Sequence, residues 1–83
     1  MLTISLDTLQ PGELATIRVI HAEEGLHHRL NALGFRIGKR IEIIRRARFQ
    51  GPLHVRIGST DIILRKTEAH RIQVTPETSA IAC

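Results

Sequence analysis

The segment spanning residues 30–38 constrains the fold of this chain more than any other stretch. Leu26, Leu30 and Leu33 recur at i, i+4 and i+7, which places them on one face of a short helix. Gly34 follows where a left-handed C-terminal cap is required, and glycine adopts that conformation without steric cost. Because so short a helix is marginal in water, we expect all three leucines to pack against the rest of the chain.

Short runs of alternating apolar residues predict strands on both sides of this helix. The helix is expected over residues 23–33, and five strands over 14–21, 39–48, 53–57, 62–66 and 72–74. Ile44 interrupts the alternation in the second strand, which indicates a bulge. Residues 58–61 are expected to form a hairpin loop, and Thr67 to cap one helical turn over 67–70. These elements predict a mainly β fold, a small and partly open barrel of about five strands with one inserted α-helix and one short helical turn.

Length and composition define the domain organisation and exclude several classes of protein. The chain of 83 residues fits one domain, which we place at residues 1–75, with a loose C-terminal tail at 76–83. Cys83 is the sole cysteine, which excludes a disulfide within the chain and a cysteine-based zinc site. No apolar run is longer than four residues, so we expect no membrane span and a cytoplasmic location.

The basic balance of charge indicates an acidic partner. Twelve Lys and Arg oppose eight Asp and Glu, and the net charge is +4. Ten of the twelve are Arg, which favours bidentate contacts with carboxylate or phosphate, and Arg45, Arg46 and Arg48 lie close together. Charge alone does not choose among nucleic acid, an anionic membrane face and an acidic protein partner. The aromatic content of 2% argues against a single-strand nucleic-acid binder, since such proteins stack bases on aromatic side chains.

The order of these elements resembles that of the FeoA family, small cytoplasmic accessory proteins of bacterial ferrous iron uptake. The resemblance rests on short motifs spread over residues 6–74: Leu9-x-Pro11-Gly12-Glu13, Leu30-x-x-Leu33-Gly34-Phe35-x-x-Gly38, Gly51-Pro52-Leu53-x-Val55, Leu64-Arg65 and Ala69-x-x-Ile72-x-Val74. The resemblance implies an SH3-like β-barrel without enzymatic activity of its own. It also implies a partner, the FeoB-type membrane permease with its cytoplasmic GTP-binding domain, which would recruit the chain to the inner face of the plasma membrane.

Neither catalysis nor a metal site is indicated by the residues themselves. The sequence holds no nucleophile elbow, phosphate-binding glycine loop or paired-carboxylate motif, so we expect no catalytic residues and no cofactor. Glu23 with His27, and Glu24 with His28, have helical i, i+4 spacing, but a transition-metal site needs three or four converging ligands. We therefore predict no resident metal, and an iron-sensing role is the weakest alternative.

Two groups of residues are the predicted partner-binding sites. His27, His28 and Arg29 on the helix would supply hydrogen bonds and charge, while Arg45, Arg48 and Phe49 would supply ion pairs and an apolar anchor. The leading hypothesis is docking on the cytoplasmic part of the permease. The alternative is a basic small-barrel module that binds nucleic acid. Under the leading hypothesis, we expect no nucleic-acid partner. The sequence leaves weak self-association open.

Overall fold

The alternating apolar residues lie on the inner side of a curved antiparallel sheet. The structure, a computed structural model, describes residues 3–48 and 51–77. The elements in chain order are β1 (Ile4–Ser5), a 3-10 helix (Leu6–Thr8), β2 (Leu14–Ile20), α1 (Glu24–Ala32), β3 (Arg40–Arg46), β4 (Leu53–Ile57), β5 (Thr60–Leu64), α2 (Lys66–His70) and β6 (Ile72–Pro76).

The strands form one sheet in the order β1-β6-β2-β3-β4-β5. Every neighbouring pair is antiparallel, and sixteen apolar residues form one buried core inside the sheet. β1 and β5 are the two edges, so the barrel is open along one seam. The predicted fold class, a small SH3-like β-barrel with one inserted helix and one helical turn, is confirmed.

Three local predictions are corrected by the structure. β1 and the 3-10 helix occupy a segment for which the sequence predicted no regular structure. The hairpin loop predicted at 58–61 is only two residues long, because Ile57 already pairs with Thr60. α2 begins at Lys66, with Arg65 rather than Thr67 at the N-cap, and the Glu68 carboxylate accepts a hydrogen bond of 3.0 Å from the Arg65 N–H.

A glycine cap ends α1 and returns the chain to the core. Gly34 has φ +103°, its N–H donates to Asn31 O at 3.1 Å, and the Phe35 N–H donates to Leu30 O at 2.9 Å. This pair of bonds defines a Schellman motif, in which the residue after glycine packs back onto the last helical turn. Phe35 and Leu30 are accordingly both buried, as predicted.

The prediction that all three helix leucines are core residues is wrong for one of them. Leu30 is buried and Leu26 is half-buried against the core, but Leu33 is 36% exposed. The helix ends at Ala32, and the reversal at Gly34 brings Phe35 onto Leu30. Phe35 is therefore the buried residue at this end of the helix, where the helical periodicity predicted Leu33.

The bulge predicted at Ile44 is present and decides which arginines face outward. The register between β3 and β4 shifts between Ile43 and Arg45. A bulge inserts one extra residue and reverses the faces of the residues that follow it. Arg45 consequently lies opposite His54 on the outer face. Arg46 lies opposite the buried Leu53, and its Nη1 donates to Leu9 O at 2.7 Å.

A buried ion pair closes the open seam of the barrel. Asp7, in the 3-10 helix that follows β1, is 4% exposed. Its Oδ2 lies 2.8 Å from Lys66 Nζ and 3.5 Å from His70 Nδ1, both on the helix that follows β5. Burial on its own would raise the pKa of Asp7, but the Lys66 hydrogen bond and the charges of Lys66 and His70 together lower that pKa below 3.8.

The sheet extends slightly past the predicted end of the domain. β6 runs through Pro76, and the Glu77 N–H donates to Leu14 O at 2.8 Å. The Glu77 carboxylate also pairs with Arg40, at 2.7 Å from its Nε. The remainder of the predicted tail, with Cys83, lies outside the described residues, so the division into a domain and a tail stays a prediction.

Two glycine substitutions should change stability in opposite directions. Gly34→Ala places a side chain at φ +103°, and we expect it to lower the free energy of unfolding by about 1 kcal/mol. Gly25→Ala lies within α1, with no atom inside 4 Å of the new Cβ, and should raise that energy by about 0.5 kcal/mol. Urea titrations measure the free energy of unfolding of both variants. Equal changes in this free energy would contradict the left-handed cap at Gly34.

The seam ion pair should contribute to stability in a pH-dependent way. A folded-state pKa below 3.8 means that the contribution is present above about pH 4 and is lost as pH falls through the folded-state value. We expect Asp7→Asn to lower the free energy of unfolding by about 1–2 kcal/mol at pH 7, and by less at acid pH. Denaturant titrations across pH test this, and a difference that does not shrink on acidification would refute it.

The two lysines of the chain provide a matched comparison for the same ion pair. Lys66→Gln removes the hydrogen bond to Asp7 and should destabilise the fold at neutral pH. Lys39→Gln makes the same chemical change at an exposed position and should leave stability nearly unchanged.

Candidate partner-binding surfaces

Strand pairing builds one continuous outer face from β3, β4 and β5. Arg45 lies opposite His54, and His54 lies opposite Ile63, so these three side chains form a row across the three strands. A second row is formed in the same way by Glu42, Arg56 and Asp61. We call the face formed by these two rows the β3–β5 face.

A shallow groove lies on this face and is lined mainly by apolar groups. Its volume is about 230 Å³, and it is lined by Arg45, Ala47, Pro52, His54 and Ile63. Ile63 is 61% exposed, which is unusual for a large apolar side chain on a strand. An exposed apolar residue inside a groove with a charged rim is typical of a protein contact.

On the β3–β5 face Asp61 is paired with Arg56, whereas Arg45 has no acidic partner among the described residues. Asp61 Oδ1 accepts from Arg56 Nε at 2.6 Å and Oδ2 accepts from Arg56 Nη2 at 3.1 Å, while His54 Nε2 lies 3.1 Å from Oδ2. The Arg56 hydrogen bonds lower the pKa of Asp61 to about 2. Within residues 3–48 and 51–77, Arg45 and the exposed Arg48 have no acidic partner. The groove is therefore lined by one arginine, Arg45, that has no acidic partner within the described residues.

The predicted site residues lie on two separate elements. His27, His28 and Arg29 are exposed on α1, whereas Arg45 is on β3 and Arg48 follows it. No hydrogen bond or ion pair joins the two groups in the part of the chain that the structure describes. Phe49, the predicted apolar anchor, lies outside the described residues.

Arg29 already has a structural partner. Its Nη1 lies 2.8 Å from Oε2 of Glu68, a residue of α2 that is only 8% exposed. This ion pair joins α1 to α2 beside a depression of about 360 Å³ that Leu26 and Arg71 also line. The exposed histidines, rather than Arg29, are the side chains that α1 offers to a partner without loss of an internal contact.

The glutamate–histidine pairs of α1 lie on the surface of the helix. Among the described residues, no three His, Cys, Asp or Glu side chains come together as a metal ion requires. Glu23, Glu24, His27 and His28 are all exposed at the surface of the helix.

Ile63 is a surface residue that the sequence reasoning missed. It lies between Ile62 and Leu64, the two residues whose spacing predicts the strand over 62–66. Strict alternation in β5 is the signal that could have revealed it. Ile62 and Leu64 point into the core, so the residue between them must point out.

Comparison with known proteins identifies a family for the whole described fold. The sequence matches the family model of the FeoA domain over residues 4–76. No curated protein matches the sequence.

Several solved structures share the fold. The crystal structure of an iron uptake regulatory protein (FeoA) superposes with a TM-score of 0.84 at 20% identity, covering 92% of this chain and 100% of that chain. Iron(II) transport protein A from Clostridium thermocellum is 37% identical, with a TM-score of 0.84 over 88% of this chain and 45% of that chain. A manganese-dependent transcriptional repressor is 22% identical, with a TM-score of 0.83 over 90% of this chain and 42% of that chain, and shows the fold alone.

Titration of Asp61 should confirm the charge arrangement on the β3–β5 face. We expect its carboxyl to titrate near pH 2, since Arg56 stabilises the charged form. Arg56→Gln should raise the pKa of Asp61 toward 3.8, the value of an unperturbed aspartate. Carbon-detected NMR of the side-chain carboxyl measures both values. An Asp61 that titrates near 3.8 in the unsubstituted protein would show that the Arg56 pair does not form in solution.

Proposed function

The chain belongs to the FeoA family, and we propose that it serves ferrous iron uptake by binding the cytoplasmic GTP-binding part of an FeoB-type permease. The observation that carries the proposal is the β3–β5 face, where an apolar groove with an exposed Ile63 is lined by Arg45, an arginine without an acidic partner in the described residues. The exposed Arg48 follows shortly after the end of β3. Similar structures named as an iron uptake regulatory protein and as iron(II) transport protein A support the assignment to iron transport.

The FeoA family is an accessory family, which agrees with a surface built for contact rather than for chemistry. The grooves are shallow, and the uncompensated charge lies on exposed arginines. No helix in the described part of the chain is long and apolar enough to cross a membrane. The proposed partner, a permease, would bring the chain to the inner face of the membrane.

The contact surface that we propose includes residues of both predicted groups. Arg45 and Arg48 would pair with carboxylates of the partner, and Ile63 on the edge strand β5 would be the apolar anchor. His27 and His28 would supply a second contact from α1. Phe49 stays a proposed anchor from sequence reasoning alone.

Binding of nucleic acid is the second candidate, and the same arginines favour it. A stripe of Arg side chains on a small barrel can neutralise phosphates. Of the two aromatic residues, however, Phe35 is buried and cannot stack on a base. The exposed apolar groove suits a protein partner better, because nucleic-acid contacts are more polar.

Reversing one charge at the groove should separate the two candidates. We expect Arg45→Glu to weaken binding to the purified GTP-binding domain about tenfold, and the binding to weaken further with salt. Arg71→Glu makes the same charge change on the connection between α2 and β6 and serves as the matched control. Isothermal titration measures the affinities, and gel shifts with DNA and RNA test the alternative.

The outcomes are distinct. The permease proposal is supported if the protein binds the GTP-binding domain and Arg45→Glu weakens this binding while Arg71→Glu does not. Failure of the unsubstituted protein to bind either that domain or the intact permease would refute it. A steep salt-dependent gel shift without permease binding would favour the nucleic-acid candidate. Iron uptake in a strain that lacks the chain, restored by the unsubstituted protein but not by Arg45→Glu, is the functional readout.

A further inference from the structure

The turn between α1 and β3 carries an apolar residue at its tip. The Lys39 N–H donates to Arg36 O at 3.1 Å, which closes a four-residue turn with Ile37 and Gly38 at its centre. Gly38 has φ +95°, the conformation that a type II turn requires at its third position. Two backbone hydrogen bonds to Ile17, of 2.8 and 2.9 Å, hold the turn against β2. The tip is therefore fixed in place by the sheet.

Ile37 is unusually exposed for an isoleucine in so well-anchored a segment. It is 68% exposed, more than Val19, Leu33 or Ile63, the other large apolar residues that the structure describes as exposed. The exposure is not needed for the turn, because the second position of such a turn accepts most residue types. The turn itself therefore gives no reason for an isoleucine at this position.

Positive charge flanks this apolar tip on both sides. Arg36 and Lys39 are exposed, and in the described part of the chain neither contacts an acidic side chain. Arg36 Nε donates to Asn31 Oδ1 at 3.2 Å, which holds the guanidinium near the end of α1 without neutralising it. An apolar tip between two uncompensated cations matches an anionic lipid surface, where the apolar side chain enters the interface and the cations contact phosphates.

We propose that the turn Arg36–Lys39 contacts an anionic phospholipid bilayer, with Ile37 inserted among the headgroups and Arg36 and Lys39 paired with lipid phosphates. A protruding tip suits a soft lipid surface, whereas a protein partner would have to provide a matching pocket. One isoleucine and two cations give weak binding alone, as a single lipid chain does for acylated proteins. The contact therefore adds to another attachment rather than replacing it.

The position of the turn makes this addition feasible. The turn precedes β3 directly, whereas the groove of the β3–β5 face lies at the far end of the same strand, about 20 Å away at 3.4 Å per residue. The two contacts therefore do not compete for the same surface. The lipid contact goes beyond the proposed permease binding and does not depend on it.

The absence of tryptophan from the sequence allows a direct test. Ile37→Trp introduces a single reporter at the tip, and Ile63→Trp introduces the same reporter on the β3–β5 face. We expect vesicles that contain phosphatidylglycerol to shift the emission of the first reporter to shorter wavelength and to leave the second unchanged. Vesicles of phosphatidylcholine alone should shift neither. The proposal would be overturned if both reporters shifted or if neither did. It would also be overturned if neutral vesicles shifted the Ile37→Trp emission to the same extent.

A second measurement avoids the affinity of tryptophan itself for membranes. We next measure the affinity of the full chain for phosphatidylglycerol vesicles by cosedimentation. Arg36→Gln and Lys39→Gln should each lower this affinity about fivefold, and Ile37→Ser should lower it as well. Ile63→Ser is the matched control and should sediment like the unsubstituted protein. Equal sedimentation of Ile37→Ser and Ile63→Ser would overturn the lipid contact. So would an Ile37→Ser variant that binds vesicles normally but loses the GTP-binding domain, since Ile37 would then be a protein contact.

Discussion

The barrel depends on an ion pair that joins the two edges of its sheet. β1 and β5 do not pair with each other, so no backbone ladder closes the seam in the described structure. The segment after each edge strand turns inward instead, and Asp7 after β1 meets Lys66 after β5 at 2.8 Å. A buried carboxylate is costly without a partner, and the pair therefore specifies one arrangement of the two edges more than it adds net stability.

α1 is attached to this barrel by a small number of side chains. Leu30 is buried in the core, Leu26 packs against it, and Arg29 reaches Glu68 on α2. Most of the remaining helix surface is exposed. Because α2 carries both Glu68 and Lys66, the same short helix holds α1 and closes the seam.

The parts of the fold that the sequence predicted correctly are those with local physical causes. The glycine cap, the bulge at Ile44 and the burial of Phe35 each follow from residues close together in the chain. The seam ion pair joins residues 59 positions apart, and no local pattern marks Asp7 as a buried residue. The exposure of Leu33 was missed for a related reason. Helical periodicity describes the helix alone and not the chain reversal that brings another side chain over the core.

The candidate surface shows the same division between local and distant causes. Composition and clustering of arginines indicated Arg45 and Arg48, but they could not distinguish Arg45 from Arg46. One extra residue in β3 makes that distinction, since it turns Arg45 outward beside His54 and sends Arg46 to the carbonyl of Leu9. The bulge thus converts one arginine into a surface group and its neighbour into a support for the barrel end. A β3 without the bulge would exchange these two roles, so that Arg46 would face outward and Arg45 would face the barrel interior.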